Sequence, residues 1–298
     1  MNAPAKLSEV TLKTIEFKLD AQTIHAFEGE TIFKAAQRHG VDIPHLCYKD
    51  GYRADGNCRA CVVEIKGERT LAPSCCRSAT EGKEVQAQSE RAVKSQKLVL
   101  EMLLSDMPDV GYKWNDASVT AGAAAGLDAS HTKAGQHGEL SYWAEHLNVS
   151  VRPELKALRR EQPKSDMSHP AMAVNLDACI QCNRCVRACR EEQVNDVIGY
   201  AMRGAHSEIV FDLHVPMGDS TCVACGECVQ ACPTGALMPK TQLGSQVVDK
   251  KVDSVCPFCG VGCLLTYNVK DNVIVSVDGR DGPANHSRLC VKGRFGFD

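Results

Sequence analysis

The sequence has no run of apolar residues approaching the roughly 20 needed to cross a bilayer, so no membrane span is expected. Its first residues, MNAPAKLSEVTLKTIEF, contain neither an apolar core flanked by positive charge nor a twin arginine. Arg159 and Arg160 are adjacent but lie deep inside the chain. Export is therefore not expected, and the reading is of a soluble, cytoplasmic protein. An excess of one charge is also lacking: 34 Lys and Arg stand against 37 Asp and Glu, a formal net charge of -3. The basic residues are dispersed rather than gathered in a stripe, which argues against nucleic acid as a partner. Residues 106–170 contain no cysteine, which removes that stretch from any thiolate chemistry.

Elsewhere cysteine is abundant. Seventeen thiols in 298 residues fall into tight groups, whereas buried apolar cysteines would scatter. In a reducing compartment such thiols stay available for metal. The length exceeds what one hydrophobic core usually serves, so two to four compact units are expected.

Residues 8–27 alternate as strands do, with Val10, Leu12, Ile15, Phe17 and Leu19 among polar neighbours, and predict a half-buried hairpin. A short helix follows, capped by Thr31, with Ile32, Ala35 and Ala36 on its apolar face and Gly40 at its end. Val62–Ile65 and residues 85–87 read as further strands, giving a small mixed sheet with one packed helix. Residues 89–105 predict a helix with Val93, Leu100 and Leu104 on one face, stopped by Pro108. The small, Gly-rich run at 119–126 reads as linker, with helices expected from Glu139 to Leu147 and from Pro153 to Arg160.

Two eleven-residue runs, CIQCNRCVRAC from Cys179 and CVACGECVQAC from Cys222, match at every cysteine and form an internal repeat. The doubled C-x2-C-x2-C-x3-C spacing resembles the bacterial ferredoxin arrangement, in which the fourth cysteine of each run ligates the other cluster. That resemblance implies one four-iron cluster on Cys179, Cys182, Cys185 and Cys232. A second would use Cys222, Cys225, Cys228 and Cys189. Pro233 follows the last cysteine as in that motif, while Arg190 stands at the equivalent place in the first run. Zinc knuckles are the alternative, but they use two cysteine pairs across a longer loop.

Cys47, Cys58, Cys61 and Cys75 have the spacing C-x10-C-x2-C-x13-C within the small sheet. The context suits a two-iron cluster, with Gly51 and Gly56 letting the backbone turn tightly. The stretch LCYKDGYRADGNCRACVVEIKG resembles the large iron-sulfur subunit of NADH dehydrogenase and its hydrogenase relatives more than plant-type ferredoxins. That family continues with a His-x3-Cys-x2-Cys-x5-Cys four-iron site, which is missing here; Met107 and Pro108 stand near its place. His131, His137 and His146 lie nearby and read as solvated rather than ligating. Cys76 is left over and reads as a small buried residue. A zinc site remains open for this quartet, because C-x2-C alone does not discriminate.

Cys256, Cys259, Cys263 and Cys290 complete a C-x2-C-x3-C-x26-C pattern within CPFCGVGC and LCVKGRFGFD. This unit resembles the N-terminal four-iron domain of molybdenum or tungsten bis-pterin oxidoreductases, most closely cytoplasmic formate dehydrogenase α subunits. The resemblance implies that Lys292, just after the fourth cysteine, sits between that cluster and the pterin; an exposed lysine in a turn is the alternative. A zinc ribbon would need a second C-x2-C pair, which is missing.

The expected fold is α+β and multidomain. A β-grasp two-iron domain spans 8–90, a helical linker region without metal ligands 91–170, a paired four-iron ferredoxin domain 171–240, and a small four-iron domain 252–298. The expected cofactors are one [2Fe-2S] and three [4Fe-4S] clusters, with a Mo or W bis-pterin guanine dinucleotide in a downstream domain. The resemblance implies electron transfer from formate oxidation at that pterin-binding catalytic domain toward a flavin/NAD-reducing subunit. A separate electron-transfer subunit of a hydrogenase or NADH diaphorase, and a zinc-stapled scaffold, are the alternatives. No residue of this chain is assigned to catalysis.

Overall fold

A computed structural model describes residues 13–108, 138–161, 164–243 and 248–297. Val10, Leu12, the 119–126 run, His131 and His137 lie outside the described residues. The chain divides into two compact units, one of residues up to His45 with Ala54–Gln96, the other of Leu46–Arg53 with everything from Lys97 onward.

In the first unit β1 (Thr14–Leu19) and β2 (Gln22–Phe27) pair antiparallel, turning at Asp20 with φ +53°. Period-two alternation sends Phe17, Leu19, Ile24 and Ala26 to the buried face. Helix α1 (Ile32–Arg38) starts at Thr31, whose Oγ1 accepts from the Lys34 amide at 3.2 Å. Beyond His39 the chain turns at Gly40, φ +73°, a conformation that suits glycine. Strands β3 (Val62–Ile65), β4 (Ala72–Pro73) and β5 (Glu84–Gln86) complete a sheet in the order β2-β1-β5-β3-β4. Only β1 and β5 run parallel. The sequence reading missed β4, which is two residues long and sits at the edge, where Pro73 costs no ladder donor.

Helix α2 (Glu90–Ser105) begins in the first unit and continues into the second. Its deepest positions are Ala92, Gln96 and Leu100, four apart, while Val93 and Leu104 are half-buried. Gln96 is tolerated inside because its Nε2 donates to the carbonyls of Val62 and Ala87, at 3.0 and 3.3 Å.

In the second unit α3 (Glu139–His146) buries Leu140, Trp143 and Ala144. Helix α4 (Pro153–Lys156) stops short of the expected Arg160. The cause is side-chain anchoring at both ends. Arg152 binds Glu101 through its amide and Nε, and Arg160 binds Asp106 through its amide and Nε, at 3.1 and 2.6 Å. Then come β6 (Met172–Val174), α5 (Arg184–Arg187), the hairpin of β7 (Ile198–Ala201) and β8 (Glu208–Phe211), α6 (Glu227–Ala231) and β9 (Leu237–Pro239). Pairing of β6 with β9 closes this region around Met172, Val174, Val186, Ile198, Ile209, Phe211 and Leu237. A meander of β10 (Lys250–Val255), β11 (Leu264–Lys270) and β12 (Val273–Gly279) follows, and α7 (Val291–Phe295) packs against β12.

Candidate metal centres

The internal repeat is a repeat of backbone as well as sequence. Gln181 and Asn183 have φ of +54° and +66°; Ala224 and Gly226, at the matching places, have +55° and +71°. Positive-φ residues on either side of Cys182 and Cys225 bend each loop so that nearby amides turn toward sulfur. Accordingly the Gln181 amide donates to Cys179 Sγ and the Ala224 amide to Cys222 Sγ, both at 3.4 Å. The Val197 amide reaches Cys189 Sγ at 3.4 Å. Neither Gln181 nor Ala224 is a residue that adopts this backbone cheaply, so the surrounding fold imposes it.

The thiols themselves fall into groups. Cys179, Cys182, Cys185 and Cys232 line one pocket, roofed by Leu176, Ile209 and Leu237. Burial, with Cys232 nearby, pushes the Cys179 thiol up to about 11 and Cys182 up to about 12. Burial, then Cys182, Cys179 and Cys232, raises Cys185 as well. In the other half, burial raises Cys222, Cys225 and Cys228, and Cys189 of the first run adds to each. The fourth cysteine of each run therefore keeps company with the first three of the other.

The last loop repeats the device with glycine, Gly260 and Gly262 having φ of +73° and +82°. The Cys256 amide donates to the Cys263 carbonyl at 2.8 Å. Burial, then Cys256, Cys259 and Cys290, raises the Cys263 thiol. Cys290 stands at the N-terminus of α7, and Gly293 on that helix leaves Cys256 Sγ 3.6 Å from where a Cβ would be. Cys259 and Cys290 are exposed, and so is Lys292, two residues into α7.

In the first unit Cys61 and Cys75 are buried and Cys58 half-buried, with Arg59 at φ +61° just after Cys58. The Ser74 hydroxyl donates to the Cys61 carbonyl at 2.7 Å, joining the two cysteine loops. Cys47 is buried and belongs to the Leu46–Arg53 segment grouped with the second unit. Gly51 and Gly56 both adopt positive φ, at +80° and +63°. The expectation that Cys76 is buried is incorrect: it is exposed. The chain turns at Pro73, whose carbonyl accepts from the Cys76 and Arg77 amides, so Cys75 points inward and Cys76 outward.

Among the described residues no three or more His, Cys, Asp or Glu side chains converge as around one ion. A four-iron cluster asks for something wider, because each thiolate binds a different corner of a cube. Stacking against Tyr142 and an edge contact with Trp143 occupy the exposed His146.

Buried charge is what sequence reasoning missed. Arg184, Arg187, Arg294 and Glu227 are each no more than 2 % exposed. Arg184 forks onto Glu139 at 2.6 and 2.7 Å, and Arg294 pairs with Glu227 at 3.3 Å. The signal was present in the repeat, whose halves keep their cysteines but exchange Arg184 for Glu227 and Arg187 for Gln230.

The three groups of loops coincide with three known families. Residues 12–90 match the 2Fe-2S iron-sulfur cluster binding domain, 178–236 the 4Fe-4S dicluster domain, and 249–298 the molybdopterin oxidoreductase Fe4S4 domain. The chain is an α+β protein built of iron-sulfur cluster-binding domains, the electron-transfer domains of related oxidoreductase subunits. It is 30% identical to an NADH-quinone oxidoreductase subunit of Rhizobium meliloti over 95% of its length and 31% of that protein's. Over 96% of its length and 32% of the relative's, it is 27% identical to a Bacillus subtilis protein named "Putative formate dehydrogenase YrhE". A chain in the crystal structure of an NAD+-reducing [NiFe]-hydrogenase superposes with a TM-score of 0.63 at 26% identity, covering 79% of this chain and 92% of that one. The chain thus spans about a third of the length of the curated relatives it matches. In its domains it resembles the iron-sulfur part of these NADH-quinone oxidoreductase and formate dehydrogenase relatives. No described helix is long and apolar enough to cross a membrane.

Proposed function

We propose that this region serves a formate dehydrogenase, carrying electrons from a Mo or W bis-pterin site in a catalytic domain toward a flavin/NAD-reducing partner subunit in the cytoplasm. The observation that carries the reading is the match of residues 249–298 to the molybdopterin oxidoreductase Fe4S4 domain, directly after a ferredoxin pair. Under this reading Cys179, Cys182, Cys185 and Cys232 hold one four-iron cluster, and Cys222, Cys225, Cys228 and Cys189 a second. Cys256, Cys259, Cys263 and Cys290 hold the third, and Cys47, Cys58, Cys61 and Cys75 the two-iron cluster. The donor sets fit: thiols in fours, with backbone amides turned to Sγ atoms in both halves of the repeat. When bound, such clusters take up and release single electrons with little change in geometry. Under the same reading Lys292, exposed two residues after Cys290, is the side chain that meets the pterin.

A second reading, an electron-transfer subunit of a hydrogenase or diaphorase, is favoured by the likeness to the NAD+-reducing hydrogenase chain. Electron paramagnetic resonance of the full-length protein separates the two. Formate should reduce the clusters and bring up their iron signals, and hydrogen should not; signals that appear with hydrogen or NADH where formate fails sink the formate reading. Replacing Cys259 by Ser should remove one four-iron signal and leave the two-iron signal intact.

A further inference from the structure

The short segment Leu46–Arg53, which carries Cys47, is held by four residues at two pairs of matching places in the repeat. Arg187 donates through Nη2 to the Cys47 carbonyl and through Nη1 to the Arg53 carbonyl. Arg184 donates through Nη2 to the Tyr48 carbonyl. From the other half, Glu227 accepts from the Tyr52 hydroxyl at 2.6 Å, and the Gln230 carbonyl accepts from Lys49 Nζ at 3.2 Å. Thus one half of the repeat presents donors to backbone carbonyls, and the other presents acceptors to side chains. The divergence of the two halves at these places is therefore explained by a shared task, gripping one loop from two sides.

Arg187 is singular among the four. It is 1 % exposed, lies between Cys185 and Cys189, and is bonded to the carbonyl of Cys47 itself. A guanidinium remains charged in any protein environment, and at this depth water screens it little. Positive charge and hydrogen-bond donation beside a cluster ligand favour the form that has gained an electron.

Resting on the cluster reading above, we propose that Arg187 is a positioning residue that fixes the Cys47 loop on the ferredoxin core and raises the reduction potential of the centre Cys47 ligates. The test is a redox titration of the full-length protein followed by electron paramagnetic resonance, in wild type, Arg187→Gln and Arg187→Lys. In Arg187→Gln the two-iron midpoint should move to more negative values, by about the 59 mV that a tenfold change represents for one electron. The signal of the Cys256–Cys290 centre should not move, and Arg187→Lys, which keeps the cation, should titrate close to wild type. An unchanged midpoint in Arg187→Gln, or an equal shift in Arg187→Lys, overturns the proposal. Should Arg187→Gln fail to assemble the two-iron centre, Arg187→Lys decides: a wild-type midpoint supports the cation's role, and loss of the centre there too refutes it. A wild type without any two-iron signal would strike the assignment of the cluster, not the role of the arginine.

Discussion

Two adjacent thiols show how much a single position decides. Cys75 is fully buried and Cys76 exposed, with their sulfurs 3.6 Å apart. Spacing alone hardly separates them, since each stands after the same C-x2-C pair; the turn at Pro73 does. Cys75→Ser should abolish the two-iron signal while Cys76→Ser leaves it, and the opposite pattern in the resonance spectrum would exchange their roles. His169 makes a different residue-scale argument. Its buried Nδ1 accepts from the Ala171 and Met172 amides, each at 3.2 Å, which requires an unprotonated nitrogen. Burial, then Lys240, holds its pKa below 6.5 against the pull of Asp166. A depressed pKa on a base means that its contribution to stability is complete above about pH 6.5 and is lost as the pH falls below that value. Between pH 7 and pH 5 the melting temperature of wild type should therefore fall further than that of His169→Asn, whose amide oxygen accepts at any pH.

At the scale of elements, the cysteine loops are held in backbone conformations that their side chains do not favour by themselves. Ala224 sits at φ +55° where an L-residue costs about 1–2 kcal/mol, so Ala224→Gly should stabilise the protein by about 1 kcal/mol in denaturant titration. Gly226→Ala should do the reverse by more than about 1 kcal/mol. It adds strain at φ +71° and puts a Cβ 2.8 Å from Arg294 Cγ. A neutral result for Gly226→Ala would show that Arg294 yields freely. These loops also show what was legible in advance. Thr31, β3 and the start of α3 were plain because caps and periodicity are local signals. The repeat's cysteine spacing was legible because few other chemistries use four cysteines in eleven residues. The stripe on α2 was misplaced because Gln96 is satisfied by the Val62 and Ala87 carbonyls, partners remote in sequence. The buried arginines escaped for the same reason: the groups that bury Arg184, Arg187 and Arg294, namely Glu139, the Cys47 loop and Glu227, are remote from them in sequence.

At the scale of the molecule, the second unit joins its cysteine loops through buried charge as well as through its apolar core. Glu227 stands between Cys225 and Cys228, accepts from Tyr52 of the Cys47 loop, and pairs with Arg294 of α7, just beyond Cys290. Arg294 also donates to the Val277 carbonyl on β12 at 3.0 Å and to the Cys225 carbonyl at 3.4 Å. One carboxylate thus connects three of the chain's cysteine regions. Burial, then Glu227, raises the Tyr52 hydroxyl far above its ordinary value, so it remains a donor throughout the working range. The cost of taking two charges out of water is offset only when both stay paired, and truncating one partner of such a pair costs about 3–5 kcal/mol. Glu227→Ala should cost about that much, because it leaves the buried Arg294 with only the half-exposed Asp278, 4.0 Å away, as a carboxylate partner. Glu227→Gln retains an acceptor for Tyr52 and a shape that fits, and should cost less. If the node joins the parts as described, Glu227→Ala should also raise hydrogen exchange in two remote places at once, the 46–53 segment and the β12–α7 region. Exchange confined to the Cys225–Cys228 loop would mean that those parts are held by their other contacts: on one side Lys49, Arg187 and Arg288, which donates to the Gly51 carbonyl at 3.2 Å, and on the other the β10–β12 meander.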